Sequence, residues 1–154
     1  MWYRNKSVIL SIAVCFIFAV LLTIGVFFGP ALMKLWFVSY RGWGTEAAIE
    51  KMLILFSCCF YPSVPFAYLT LYSLLRMLFN IKKEEIFVIQ NVRYLRRISW
   101  SCIVVAFITF VGGIFYVPFL CIAVAAAFVG LLLRVVKNVM QNAYEIKQEN
   151  ELTI

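Results

Sequence analysis

Residues 98–133 form a run of 36 residues without a single Lys, Arg, Asp or Glu. As one straight helix the run would extend about 54 Å at roughly 1.5 Å per residue. A bilayer core of about 30 Å needs only about 20 apolar residues, so the run must fold back. Gly112-Gly113 followed by Pro118 supplies the break, since a glycine pair with a nearby proline is a turn signal. Each arm then holds about 17 residues, and Arg97 and Arg134 at their far ends can snorkel to the interface to complete a crossing.

Two further charge-free runs, Ser7–Met33 and Met52–Leu75, each suffice for one span. The expectation is an all-α fold, a four-helix transmembrane bundle in one membrane domain. Its spans fall at about 7–29, 52–75, 98–115 and 118–136, with a cytoplasmic loop at 79–97 and a cytoplasmic tail at 137–154. Composition agrees: 65% of the chain is hydrophobic and 14% charged, against about 45–50% and about 25% in soluble domains. The first run is longer than a signal-peptide core and lacks a small-x-small cleavage site after it, so it is read as a retained helix.

Orientation follows from the basic residues. With the N-terminus inside, Arg4, Lys6, Arg76, Lys82, Lys83, Arg93, Arg96, Arg97, Arg134, Lys137 and Lys147 are cytoplasmic. Only Lys34, Arg41 and Lys51 are external, so eleven of the 14 basic residues lie inside and both termini are expected in the cytoplasm. Trp2, Trp36, Trp43 and Trp100 fall near the expected interfaces, as an aromatic belt requires. The same distribution explains the net charge of +7. The positive charge faces anionic headgroups of the lipid bilayer, and no direct nucleic-acid binding is expected.

The chain has no His, and its five Cys (Cys15, Cys58, Cys59, Cys102, Cys121) all lie in apolar runs, where a free thiol packs as a small hydrophobe. No disulfide framework, metal site or cofactor is expected. No nucleophile elbow, P-loop or metal motif occurs either, so the chain is not expected to be an enzyme. An ion-coupled transporter usually carries an ionisable group at mid-depth. The spans offer only hydroxyls: Ser11, Thr23, Ser57, Ser63, Thr70, Ser73, Ser101 and Thr109. These are expected to bond back to their helix or across to a neighbour.

Pro62 and Pro65 place a kink in the second span, read as shaping packing more than as a moving hinge. Gly25-x-x-x-Gly29, Ala123/Ala127 and Ala126/Gly130 are small-x-x-x-small pairs that let helices approach closely. Their spacing leaves contacts within the bundle and contacts in a homodimer equally open. Outside, Pro30–Lys51 reads as an interfacial connector, with a turn at Gly42-Trp43-Gly44 and a short helix opening at Thr45.

The cytoplasmic segments are more distinctive. In Asn80–Ser99 (NIKKEEIFVIQNVRYLRRIS), Glu84 and Glu85 are expected to open an amphipathic helix. Ile89, Val92, Leu95 and Ile98 recur at helical spacing, with Arg93, Arg96 and Arg97 on other faces. Such a helix can hold anionic lipid or dock a cytoplasmic protein. The tail reads as a continuation of the fourth helix, with an apolar stripe at Val136, Val139/Met140 and Ala143. Its acidic-apolar tip, Glu149 to Ile154, has the charge to pair with Arg93, Arg96 or Arg97, though a solvated end is the commoner fate.

Two of these segments carry a resemblance. Ile86–Cys102 (IFVIQNVRYLRRISWSC) resembles the F-x-x-x-N-V-x-x-L-R-x-I-S-W segment of a bacterial membrane family known as domain of unknown function 2975. Arg134–Ile154 (RVVKNVMQNAYEIKQENELTI) is similar to that family's R-V-x-K-N-V…I-K-x-E-N-D-L-T-I ending, with Glu151 where Asp is usual. With four spans and a similar length, the resemblance extends over essentially the whole chain. It implies a protein of the plasma membrane of a bacterial cell, largely in Gram-positive organisms, without an assigned activity. It also implies a gene often placed beside a small helix-turn-helix regulator of transcription. By the family pattern, Asn91, Val92, Leu95 and Arg96 belong to the shared loop segment, and Asn138, Glu149, Asn150, Leu152, Thr153 and Ile154 to the tail.

The expected function is that of an anchor, sensor or inhibitor partner of such a regulator. Its contact residues would be Asn91, Arg93, Leu95, Arg96, Arg97, Asn138, Glu149, Asn150, Glu151, Leu152, Thr153 and Ile154. The alternative is a small transport, permeability or immunity protein acting within the membrane.

Overall fold

The structure is a computed structural model that describes residues 2–41 and 46–152, and the side chains of 6–36, 38–39 and 47–150. Four helices follow in order: α1 (Trp2–Arg41), α2 (Glu46–Lys82), α3 (Ile89–Gly113) and α4 (Val117–Leu152). All four contain a stretch long and apolar enough to cross a membrane. Consecutive helices pack side by side, α1 on α2, α2 on α3 and α3 on α4. The connections are short, so neighbours run antiparallel, and α1 begins at the same end of the bundle at which α4 finishes.

Apolar side chains cover the outside. Leu10, Phe16, Phe27, Ile114, Phe115 and Val124 are all more than half exposed. A surface of this kind suits acyl chains and not water. With lipid outside, burying apolar groups supplies no force between helices, so close packing and hydrogen bonds must do so. Many of the buried residues are accordingly small or narrow: Cys15, Cys59, Ala106, Ala123, Ser73, Ser101 and Thr109.

Each helix pair has its own small-residue contact. At the α1–α2 seam, Gly25 and Gly29 face the rings of Phe56 and Phe60, which stack with centroids 5.2 Å apart. At α2–α3, a methyl group on Gly112 would overlap Cys59 Sγ. At α3–α4, a Cβ on Gly130 would lie 3.2 Å from Ile103 Cγ1 and 3.3 Å from Cys102 Cβ. The small-residue spacing is therefore used inside one chain at the first and third seams.

The first span was expected at about 7–29 with a connector from Pro30, yet α1 continues eleven residues beyond Pro30 to Arg41. A proline deprives the carbonyl four residues earlier of its N–H. That carbonyl is Val26 O, and the Tyr61 hydroxyl of α2 donates to it at 3.3 Å, so a neighbour re-satisfies the freed group. Most of the expected outer connector is thus helical. The turn at 42–44 and the opening at Thr45 lie outside the described residues. α2 is helical from Glu46 through Pro62 and Pro65 to Lys82.

Four of the eight span hydroxyls bond as expected, whereas those of Ser73 and Ser101 are buried without a partner. Ser11, Thr23, Ser63 and Thr109 donate to carbonyls of their own helices. Thr23 donates to Ala19 O, so at its 2.8 Å contact with the Tyr68 hydroxyl it acts as acceptor, joining α1 to α2.

The break after α3 lies where Gly112-Gly113 and Pro118 placed it. The N–H groups of Phe115 and Tyr116 both reach Gly112 O at 3.1 Å. Glycine suits position 113 because a Cβ there would sit only 3.0 Å from the Leu120 backbone N, tighter than ordinary contact. Pro118 occupies the first turn of α4, where a missing N–H costs nothing.

The connection from α2 to α3 corrects an expectation. Glu84 and Glu85 do not open a helix; they close α2. Glu85 N–H bonds to Asn80 O and Glu84 N–H to Ile81 O, both at 3.0 Å, with Glu84 in the left-handed region at φ 66°. These two bonds make a Schellman cap with Glu84 at the position that favours glycine. The acidic pair could favour a helix start only through weak end charges. The long apolar helix arriving from Glu46 makes a stronger demand, because its last carbonyls need donors. α3 starts five residues later, at Ile89.

Candidate functional site

The end of the bundle that holds the α2–α3 connection, the start of α3 and the far half of α4 gathers the polar chemistry. Asn91 organises it. Fully buried, it accepts from Asn80 Nδ2 of α2 at 2.8 Å and donates Nδ2 to Glu85 O at 3.0 Å and Ile86 O at 2.9 Å. One side chain thus joins α2, the connecting loop and α3.

From this anchor α3 runs with Val92, Leu95 and Ile98 buried at 5% exposure or less, as expected from their spacing, whereas Ile89, the first residue of the expected stripe, is exposed at 37% at the start of the helix. Arg93, Arg96 and Arg97 are exposed, and Arg97 lies over the Tyr94 ring with its guanidinium carbon 5.9 Å from the centroid. Of the loop residues named as contacts, the three arginines and not Asn91 or Leu95 present a surface. Asn91 and Leu95 are internal because one satisfies backbone groups and the other fills the seam.

The fourth helix continues to Leu152 as expected, but its stripe is rotated. Val136 and Val139 are exposed at 47% and 63%, whereas Lys137, Met140, Gln141, Ala143 and Tyr144 are half-buried. Tyr144 shares a cleft with Glu85, Val88, Ile89 and Gln90, so the tail helix lies alongside the start of α3 through its middle. Within the tail, Gln141 Nε2 donates to Glu145 Oε1 at 3.1 Å. Asn138, Glu149 and Asn150 are exposed. The side chains of Glu151 and Leu152, and all of Thr153 and Ile154, lie outside the described residues.

Sequence reading missed one grouping. A pocket of about 150 Å³ between α3 and α4 is lined by Arg96, Ser99, Trp100, Arg134, Lys137 and Asn138. At its floor Ser99 Oγ donates to Gly130 O at 2.8 Å, and Arg134 lies over the Trp100 ring at 5.1 Å. Spacings of three and four residues within each helix hinted at such a face, but the register between the two helices was not legible.

Deeper in the bundle, an apolar cavity of about 310 Å³ touches all four helices, with Phe18, Phe66, Thr70, Ser101, Val105 and Ala126 in its wall. Ser73 and Ser101 are buried with hydroxyls that lack a partner. At the opposite end a cleft between α1 and α2 includes Lys34, Ile49 and Glu50. Among the described residues, no three His, Cys, Asp or Glu side chains converge as a metal site would need.

Four antiparallel helices, a lipid-suited exterior and polar groups gathered at the end define a multi-pass α-helical membrane protein. Residues 44–154 match the model of the family described as Protein of unknown function (DUF2975). The chain belongs to that family. The match takes in α2, α3 and α4 and leaves α1 outside, narrower than the whole-chain resemblance expected from the motifs. No curated protein and no solved structure matches the chain.

Proposed function

We propose that this protein is a non-catalytic membrane partner, serving as anchor, sensor or inhibitor, of a small cytoplasmic helix-turn-helix regulator. It acts at the plasma membrane of a bacterial cell, with the end carrying the α2–α3 connection in the cytoplasm. The observation that carries the reading is the division of labour along α3. Its first turns bury Val92, Leu95 and Ile98 while displaying Arg93, Arg96 and Arg97. That display is rigid, because Asn91 and the neighbouring α4 helix hold α3 in place. A fixed row of arginines suits an acidic protein surface, with Arg offering bidentate bonds to carboxylates. The positive-inside bias supports placing this face in the cytoplasm.

The test is co-purification of the full-length membrane protein with the regulator encoded beside it. Association is expected for the native chain and lost in R93A/R96A/R97A. No association would overturn the reading, and undiminished association of the triple variant would remove the arginine surface from it.

A further inference from the structure

Topology accounts for basic residues at this end of the bundle, but not for their gathering around one pocket between α3 and α4. Arg96 and Trp100 lie one turn apart on α3, and Arg134, Lys137 and Asn138 share one face of α4. Three cations therefore converge on a volume of about 150 Å³, and none of the three forms an ion pair with a described carboxylate. Like charges brought together repel, so the arrangement favours an anion between them.

The pocket is built, not a chance meeting of mobile side chains. Gly130 brings the helices close, and the buried Ser99–Gly130 bond clamps them directly below the cations. The Trp100 ring supports the Arg134 guanidinium, a stacking that restrains the arginine without using its N–H donors. Asn138 adds a neutral amide donor.

Depth is equally telling. Arg96 precedes Gly113 by 17 residues and Arg134 follows Val117 by 17. At roughly 1.5 Å per residue both stand about 26 Å from the α3–α4 turn, close to the ~30 Å thickness of the hydrocarbon core. Their backbone thus falls a few ångströms short of the far edge of the core, and the long Arg and Lys side chains carry the charges on to the level of the lipid phosphates.

We propose that Arg96, Arg134, Lys137 and Asn138 form a binding site for a phosphate ester, either the headgroup phosphate of an anionic phospholipid or a free phosphorylated molecule. Arg and Lys bind phosphate through short charge-assisted hydrogen bonds. Losing one such cation should weaken binding roughly tenfold. The site goes beyond the regulator-binding reading and shares Arg96 and Asn138 with the contact residues expected for it.

The test uses the purified full chain in a neutral detergent, titrated with phosphatidylglycerol, phosphatidylcholine and inorganic phosphate, with bound molecules counted by native mass spectrometry. Phosphatidylglycerol retained at one site per chain, about tenfold tighter than phosphatidylcholine and not displaced by inorganic phosphate, identifies the lipid. Inorganic phosphate binding at one site and displacing phosphatidylglycerol identifies a free phosphorylated ligand. In either case R134Q/K137Q should lose at least tenfold in affinity, R134K/K137R should keep most of it, and R93Q/R97Q should be unchanged. Asn138→Trp, which fills the pocket from an exposed position, should also abolish binding if R134Q/K137Q does not fold. Equal retention of the two lipids with no phosphate binding, or undiminished binding in R134Q/K137Q or in Asn138→Trp, would overturn the proposal. R93Q/R97Q separates the two readings, since it should impair regulator capture and spare the phosphate.

Discussion

Replacing Asn91 tests how the polar end of the bundle is held. Its side chain is fully buried and makes three hydrogen bonds, one to Asn80 Nδ2 and two to the loop carbonyls of Glu85 and Ile86. A net contribution of about 1 kcal/mol per bond puts Asn91→Ala at about 2–3 kcal/mol, with extra cost where the Asn80 amide stays buried and unpaired. Asn91→Asp is the sharper variant. The carboxylate keeps an acceptor for Asn80 but aims a second oxygen at two carbonyl oxygens, so it should destabilise more than alanine despite its matching shape. Hydrogen–deuterium exchange in detergent reads the effect locally. Amides of residues 83–92 should exchange about thirtyfold faster or more in Asn91→Ala, following the conversion of about 2 kcal/mol to an opening equilibrium. The α3–α4 turn at 114–116 should be unaffected. Unchanged exchange at 83–92, or aspartate milder than alanine, would refute the assignment of Asn91 as the clamp of this connection.

Two other perturbations follow from the backbone contacts. Gly112→Ala should destabilise the α2–α3 seam by about 1–3 kcal/mol through overpacking against Cys59 Sγ. Combining it with Cys59→Ala should recover most of that loss, and a thermal-unfolding double-mutant cycle that shows simple additivity would refute the contact. Glu84→Gly should strengthen the cap of α2 by about 0.5–1 kcal/mol, because the native residue holds φ at 66° at a cost that glycine avoids. Slower amide exchange at Glu85, relative to its intrinsic rate, is the expected readout, and faster exchange there would contradict it.

How much was legible beforehand varied with the physics involved. Four helices, and the fold-back at Gly112-Gly113 with Pro118, followed from the lengths of charge-free runs. A bilayer imposes a single length scale and forbids unsatisfied backbone, so counting residues is nearly enough. The buried face of α3 at Val92, Leu95 and Ile98 was legible because helical periodicity is a property of one helix alone. The start of α3 was not, because Glu84 and Glu85 suit either a helix beginning or a cap, and the incoming α2 helix decided between them.

What the tertiary structure alone decided was which helix meets which, and in what register. Pro30 read as the start of a connector, whereas Tyr61 of a second helix serves the Val26 carbonyl that the proline orphans and the helix runs on. Asn91 looked like a contact residue until Asn80 and the loop carbonyls were seen to enclose it. Arg96 was legible as a contact residue and Arg134 and Lys137 as cytoplasmic charges, and the three became a pocket only when Gly130 set α3 against α4. Charge and periodicity are written along one chain, whereas a site between helices depends on the rotation and slide of one helix against another. Those two quantities are set by the shapes of small side chains at the seam, which no pattern within a single helix records.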